Sequence, residues 1–399
     1  MKILLGALIL AIGTGIFLFW AGMNITEVVA PTTPVSLEAP EAVSPPLADP
    51  PKMIKAIYLT GWSAGNPSKI NYLINLVKTT EINAVVIDVK DYSGYVAYDI
   101  KVPEVEKYKA EEIKIPQINR LIKQLHDEGI YAIARITIFQ DPRLAEARPD
   151  LAVKSKKTGA PWLDRKKLTW IDPAAKDAWD YNIAIAKETS QRGFDEINFD
   201  YIRFPSDGDL EDMEFPFWDG KSPESSVIRN FFKVLRQELA GVKISADLFG
   251  LATINRDDLG IGQIIENAFE YFDFVSPMVY PSHYASGFLG YKNPALYPYE
   301  VVKYSMDSAF QRLKNYELGI MNNATTTATS TNMIRDSRSK IQDSKLRPWL
   351  QDFDLGADYN AETVQKEIQA VFDAATSTPE LLNGFMLWSP SNIYSLISN

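Results

Sequence analysis

Two aspartates, Asp200 and Asp247, stand where this chain could do chemistry. Asp200 closes the run Phe194-Asp195-Glu196-Ile197-Asn198-Phe199-Asp200, in which Ile197 and Phe199 alternate with Asn198 and Asp200. Such alternation gives a strand one apolar and one polar face. An anion near the end of a buried strand is costly unless something there uses it. Asp247 is set the same way in Lys243-Ile244-Ser245-Ala246-Asp247-Leu248-Phe249-Gly250. Two carboxyls facing one bond can hydrolyse a glycoside. One protonates the leaving oxygen while the other attacks the anomeric carbon or activates water. In that chemistry Asp200 is the expected nucleophile or base and Asp247 the expected acid.

Such a pair needs a scaffold that holds neighbouring strand ends together. Eight strand-like runs can be read, at 54–62, 84–91, 131–139, 196–205, 243–250, 274–281, 347–353 and 384–390. Amphipathic stretches lie between them, among them 70–80, 118–128, 174–192, 226–239 and 363–375. This alternation predicts an α/β fold, a (β/α)8 TIM barrel, whose catalytic groups stand at the C-terminal ends of the strands. The competing fold is a doubly wound open sheet, but no Gly-x-Gly-x-x-Gly follows any strand. Inserted loops are expected at 206–225 and 322–332, the second a flexible excursion. The acidic run 207–212 lacks the spacing of an EF-hand and is expected to be a solvated, mobile lid.

With the apolar faces turned out to the helices, the inward set is unusually polar. It comprises Tyr58, Thr60 and Trp62, then Asp88 and Lys90, Arg135 and Thr137, Asn198 and Asp200, and Ser245 and Asp247. Met278 and Tyr280, Trp349 and Gln351, and Trp388 complete it. A barrel interior normally packs branched aliphatics, so polar groups in register point to a site at the top. Substrate contacts are expected from Trp62, Asp88, Lys90, Arg135, Asn198, Arg203, Tyr280, His283, Gln351, Asp352 and Trp388. Asp352 is out of phase, although a residue past the last strand pair can turn inward. Tyr284 and Trp349 add aromatic planes of the kind that stack on sugar rings. His126 is expected to be structural.

Composition narrows the alternatives. The chain has 399 residues, a formal net charge of −10, 46% hydrophobic residues, no cysteine and two histidines. A nucleic-acid partner is not expected at that charge. Thiolate and zinc-thiolate chemistry are excluded, and a histidine-based metal centre is poorly supplied. No cofactor or metal is implied. The apolar run 3–23 is about as long as a bilayer is thick. It is read as an uncleaved signal-anchor helix (residues 1–23) in preference to a cleaved signal peptide, and either would export the rest of the chain. A Pro-rich, disordered linker (24–52) then precedes the barrel domain (53–399), which is expected to be monomeric.

At this point the chain resembles a family of bacterial TIM barrels, glycosyl-hydrolase-like domains first catalogued as a domain of unknown function. The motifs that carry the resemblance are Val86-Ile87-Asp88-Val89-Lys90-Asp91, Arg135-Ile136-Thr137-Ile138-Phe139, Phe194 through Pro205, and Ser245-Ala246-Asp247-Leu248-Phe249-Gly250. Ser276-Pro277-Met278-Val279-Tyr280-Pro281, Pro348-Trp349-Leu350-Gln351-Asp352-Phe353 and Trp388-Ser389 continue it. Asp200-Tyr201-Ile202-Arg203-Phe204-Pro205 is the most specific of them. The resemblance implies a secreted or surface-anchored barrel acting on carbohydrate. Chitinase-like barrels carry a catalytic Glu where this chain has Ile202, which speaks against substrate-assisted hydrolysis. Alpha-amylase-like barrels pair a strand-four Asp with a strand-five Glu, whereas the acid here would be the shorter Asp247. The rival expectations are a non-catalytic carbohydrate-binding barrel at the cell envelope and, less well supplied, a metal-dependent hydrolysis such as deacetylation.

Overall fold

The structure, a computed structural model, describes residues 42–327 and 344–396. The expected signal-anchor and the first part of the linker lie outside the described residues. Among those described, no helix is long and apolar enough to cross a membrane.

Eight parallel strands close into a barrel. They are β1 (Ile54–Leu59), β2 (Ala84–Lys90), β3 (Tyr131–Thr137), β4 (Glu196–Asp200), β5 (Ile244–Phe249) and β6 (Phe274–Met278). The seventh, β7, comes in two pieces, Lys345–Leu346 and Trp349–Gln351, and β8 is Gly384–Trp388. Each strand pairs with the next in sequence, β8 pairs with β1, and Trp349 opposite Met278 completes the circle. The break in β7 falls at Pro348, which has no N–H to give to a ladder. The barrel expectation holds, and the open sheet does not.

Helices fill the crossovers: α1 (Pro67–Thr79), α2 (Ile118–Asp127), α3 (Lys176–Gln191), α4 (Glu224–Glu238), α5 (Ile265–Phe269), α6 (Pro298–Thr327) and α7 (Ala361–Ala374). Their starts are written locally. Asn66 caps α1 ahead of Pro67, and Asn360 caps α7 through the Thr363 N–H. Their apolar stripes cover the outer barrel face. Phe231, Phe232 and Leu235 of α4 are fully buried, each burial contributing roughly 1.5–3 kcal/mol. The region 322–332, expected as a loop, begins as the last turns of α6, and residues 328–343 lie outside the described residues.

The barrel interior is layered. A floor is made by the buried ion pair of Arg347 with Glu196, to which Tyr131 and Asn383 add hydrogen bonds. Above it Ala56, Val86, Ile133 and Met386 form a small apolar plug. The polar groups stand on top. Residues 42–52, expected to be free linker, instead run along the N-terminal face. The Leu47 N–H donates to Asp195 at 2.7 Å, and Ser44 Oγ lies 3.2 Å from His126 Nδ1. His126 in turn contacts Asp195 at 3.0 Å and is structural, as expected.

Candidate active site at the C-terminal end of the barrel

One line of register sets the site. Asp88 on β2 lies opposite Arg135 on β3, Arg135 opposite Asn198 on β4, and Asn198 opposite Ser245 on β5. Asp200 and Asp247 stand two residues further along their strands. Their side chains and Asp88 all turn inward and meet at a single guanidinium.

Arg135 donates from Nη1 to Asp88 at 2.6 Å and from Nη2 to Asp200, and its Nε faces Asp247 Oδ2 at 3.5 Å. Each carboxylate is held by a second group as well. Tyr58 donates its hydroxyl to the other oxygen of Asp88. The Tyr201 N–H donates to Asp200 Oδ1 at 2.5 Å. Asp247 Oδ1 accepts from Asn198 Nδ2 at 2.9 Å and from Trp349 Nε1 at 2.8 Å. Asp247 Oδ2 accepts a hydrogen bond from no described residue. Three acidic groups around one cation cannot all be comfortably ionised in a buried space. Burial raises the pKa of Asp88 above the usual carboxylate value. Burial, and then the charge of Asp200, push Asp247 up to about 8.

Aromatic planes wall the cluster on one side. Trp388 stacks on Tyr58 with ring centroids 3.9 Å apart, and the Arg135 guanidinium lies 5.1 Å from the Trp388 ring. Tyr280 is buried by the carboxylates, and burial together with Asp247 and Asp200 raises its pKa. Trp62 stands at the rim after β1, 61% exposed, with the Lys114 ammonium 5.8 Å from its ring. Tyr284 is a packing residue, its hydroxyl spent on Ser305 at 2.8 Å.

Backbone strain marks the end of β4. Tyr201 has φ +53°, the left-handed region that non-glycine residues rarely occupy. Such a residue costs on the order of 1–3 kcal/mol and persists where its surroundings hold it. Here the turn bends the chain at the cluster and aims the Tyr201 N–H at Asp200.

Several expected contacts fall elsewhere. Strand alternation places Lys90 inward with Asp88, but the ladder shifts register between them, with Asp88 opposite Arg135 and Lys90 opposite Ile136. That bulge turns Lys90 to the outer face, since one extra residue reverses the strand's phase. There it is 0% exposed, bound to Asp141 at 2.7 Å and the Thr137 carbonyl at 2.6 Å. Gln351 is inward but fully used, accepting from Ser282 and donating to the Phe353 carbonyl. It fixes the loop after β6. Asp352 turns away from the mouth to accept the Ser395 N–H at 2.8 Å, and burial pushes its pKa up to about 6. His283 is exposed at the rim, its Nδ1 3.0 Å from Ser282 Oγ. The acidic run 207–212 is not a free lid. Lys154–Ser155 pair antiparallel with Met213–Glu214, Ser155 donates to Asp212 at 2.6 Å, and Trp162 Nε1 donates to the Asp209 carbonyl.

Two groups of the cluster fall outside the expected contacts, and a third, Trp349, expected as a stacking plane, instead donates to Asp247. Tyr58 has the right phase for the cluster, and the sequence offers that signal. The left-handed turn at Tyr201 has none.

A closed parallel barrel with its acidic residues gathered at the strand C-termini defines a glycoside-hydrolase-like domain. Over residues 56–394 the chain matches the family described as "Putative glycosyl hydrolase domain", and it belongs to that family. Among solved structures, a hypothetical protein from Ruminiclostridium thermocellum is 42% identical, with a TM-score of 0.45, over 48% of this chain and 96% of that one. The glycoside hydrolase domain of PgaB (BpsB) from Bordetella bronchiseptica is 14% identical, with a TM-score of 0.56, over 86% of this chain and 95% of that one. That likeness is one of fold. An alpha-galactosidase from Thermus thermophilus is 10% identical, with a TM-score of 0.46, over 88% of this chain and 60% of that one. No curated protein matches the chain.

Proposed function

We propose that the protein is a glycoside hydrolase acting on a polysaccharide or cell-envelope glycan, held outside the cytoplasm by its N-terminal segment. The observation that carries the reading is the unequal pair at the end of β4 and β5. Asp247, its pKa pushed up to about 8, keeps its proton at neutral pH, and its Oδ2 accepts a hydrogen bond from no described residue, with Arg135 Nε standing 3.5 Å away. Asp200 instead has the Arg135 guanidinium as its direct ion-pair partner. Environments that push two carboxyls apart assign acid and base. Asp247 gives its proton to the leaving oxygen, and Asp200 attacks the anomeric carbon or takes a proton from water. Arg135 keeps the two apart in charge, while Trp388 and Trp62 offer faces on which sugar rings stack.

The non-catalytic alternative draws on one observation, that Asp247 is only 1% exposed before any sugar arrives. It predicts glycan binding without release of reducing ends. The test is a panel of envelope and storage polysaccharides given to the full-length protein and to Asp200→Asn. The wild type should release reducing ends from at least one glycan, and Asp200→Asn should lose roughly 10³-fold or more of that rate with its fold intact. An unchanged rate in the variant removes the assignment.

A further inference from the structure

The cluster around Arg135 leaves a second arginine unexplained. Arg203, three residues past Asp200, is 7% exposed at the same end of the barrel. Its guanidinium lies between aromatic rings, 4.7 Å from Trp170, 4.6 Å from Phe249 and 5.5 Å from Tyr201. Of its five N–H donors, the hydrogen bond made to protein is from Nη1 to the Phe204 carbonyl at 2.9 Å. No carboxylate of the described residues comes within ion-pair distance. Every other described arginine buried to this degree is paired: Arg135 with Asp88, Arg312 with Glu266 and Arg347 with Glu196. Burial accordingly holds the Arg203 pKa below its usual value. Its unbonded nitrogens are not among the sealed, partnerless atoms, in contrast to Nε of Arg135 and Nε of Arg347. The remaining donors of this buried cation are therefore not sealed, and no carboxylate of the described residues pairs with them directly, although Asp200, Asp207 and Asp164 act on it from further away.

A second group of cations stands over the same side. The turn Asp164–Leu168 projects Arg165, Lys166 and Lys167, all exposed and none paired with a carboxylate of the described residues. Asp164 fixes the turn through the Lys166 and Leu168 N–H groups. Asp164 also accepts from Trp170 Nε1 at 3.1 Å, and the Trp170 ring lies 4.7 Å from the Arg203 guanidinium, so the turn stands beside that arginine. In a chain of net charge −10, the cations of this turn thus lie on the Arg203 side of the barrel.

We propose that Arg203, with Lys166 on the turn beside it, is an anion-binding subsite, so that the glycan taken by this barrel carries a negatively charged substituent on the sugar seated over β4 and β5. The substituent is a carboxylate or an ester of sulfate or phosphate, whose planar or tripod oxygens a guanidinium engages with two donors at once. The aromatic rings hold the guanidinium in place and lower the dielectric around it, which strengthens its attraction for an anion. This inference rests on the carbohydrate reading of the site.

Binding is measured by isothermal titration of the full-length protein with two matched pairs, oligogalacturonate against its methyl ester and dextran sulfate against dextran. The charged member of at least one pair should bind about tenfold or more tightly than its neutral partner. The carboxylate pair and the sulfate pair distinguish a uronate from an ester. Arg203→Gln should erase the preference, Arg203→Lys should keep part of it, and Lys166→Ala should lower it severalfold. Should Arg203→Gln fail to fold, Lys166→Ala, on an exposed turn, carries the test. No charge preference in either pair, or a preference that the folded variants leave intact, overturns the proposal. A charge preference lost in Arg203→Gln with no reducing ends released by the wild type would sink the hydrolase reading alone. Wild-type cleavage of a neutral glycan, undiminished in Arg203→Gln, would sink the subsite alone.

Discussion

At the scale of residues, the site is a contest of charges in a small dry space. Arg135 is the only cation of the described residues within ion-pair distance of Asp88, Asp200 and Asp247. Arg135→Met should therefore destabilise the fold by about 3–5 kcal/mol, because it leaves buried carboxylates without a partner. The loss, measured by denaturant unfolding, should shrink at acid pH, where those carboxylates take up protons. A loss that does not depend on pH would mean that packing dominates at this position. Asp247 makes a second prediction. A general acid works only while protonated, and its pKa is raised to about 8, so turnover should hold below that value and fall as pH rises through it. A profile flat from about pH 7 to about pH 9.5 would remove Asp247 from the role. Strand phase made most of this cluster legible. Asp88, Arg135, Asn198, Asp200 and Asp247 share one face because each strand alternates, and alternation is visible in sequence. The convergence of three carboxylates on one arginine was not, because it depends on which strands are neighbours and on their stagger.

At the scale of elements, the departures from expectation come from local breaks in regular pattern. The bulge in β2 puts Lys90 among α3 and the outer face of β3, with its ammonium on Asp141 and 5.9 Å from the Tyr181 ring. Sequence periodicity cannot register a single extra residue in β2, where Val85, Val86, Ile87 and Val89 are all buried and apolar residues occupy both faces before the bulge. Lys90→Met should cost about 3–5 kcal/mol, since Asp141 would be left charged and alone. The double variant Lys90→Met with Asp141→Asn should recover much of that in thermal unfolding, since the amide oxygen still accepts from the Leu144 N–H at the start of the short helix Pro142–Ala147. Turnover per folded molecule should not change in either. A stable Lys90→Met that loses turnover would return Lys90 to the substrate. The loops after β3 and β4 carry the same lesson. Each looks polar and unstructured alone, yet they pair through Ser155 and Met213 into one wall beside Asp200. Pairing between segments about 60 residues apart is a tertiary fact that local composition does not carry.

At the scale of the whole molecule, the described residues from 42 onward form one compact unit that includes part of the expected linker. Composition marks the stretch before Lys52 as Pro-rich and extended. It does not show that an extended strap can dock, because the Leu47 N–H and Asp195 find each other only once the barrel is closed. Deleting residues 1–52 should cost about 1.5–3 kcal/mol relative to deleting 1–41, through loss of that charge-assisted hydrogen bond. Equal denaturant midpoints would show the strap to be idle. The barrel's two ends thus divide the work. The N-terminal end is closed by the Arg347–Glu196 pair and the strap, and the C-terminal end holds every group assigned to chemistry. Hydrolysis by this barrel depends on Asp200 acting at the reacting carbon. Its most direct test is chemical rescue of Asp200→Gly, a folded variant with space where the carboxylate stood, by azide on a glycan the wild type cleaves. The expected variant is inactive alone, regains turnover with azide, and forms a glycosyl azide. A variant as active as the wild type, or a folded and inactive one that azide leaves inactive, contradicts the assignment of Asp200.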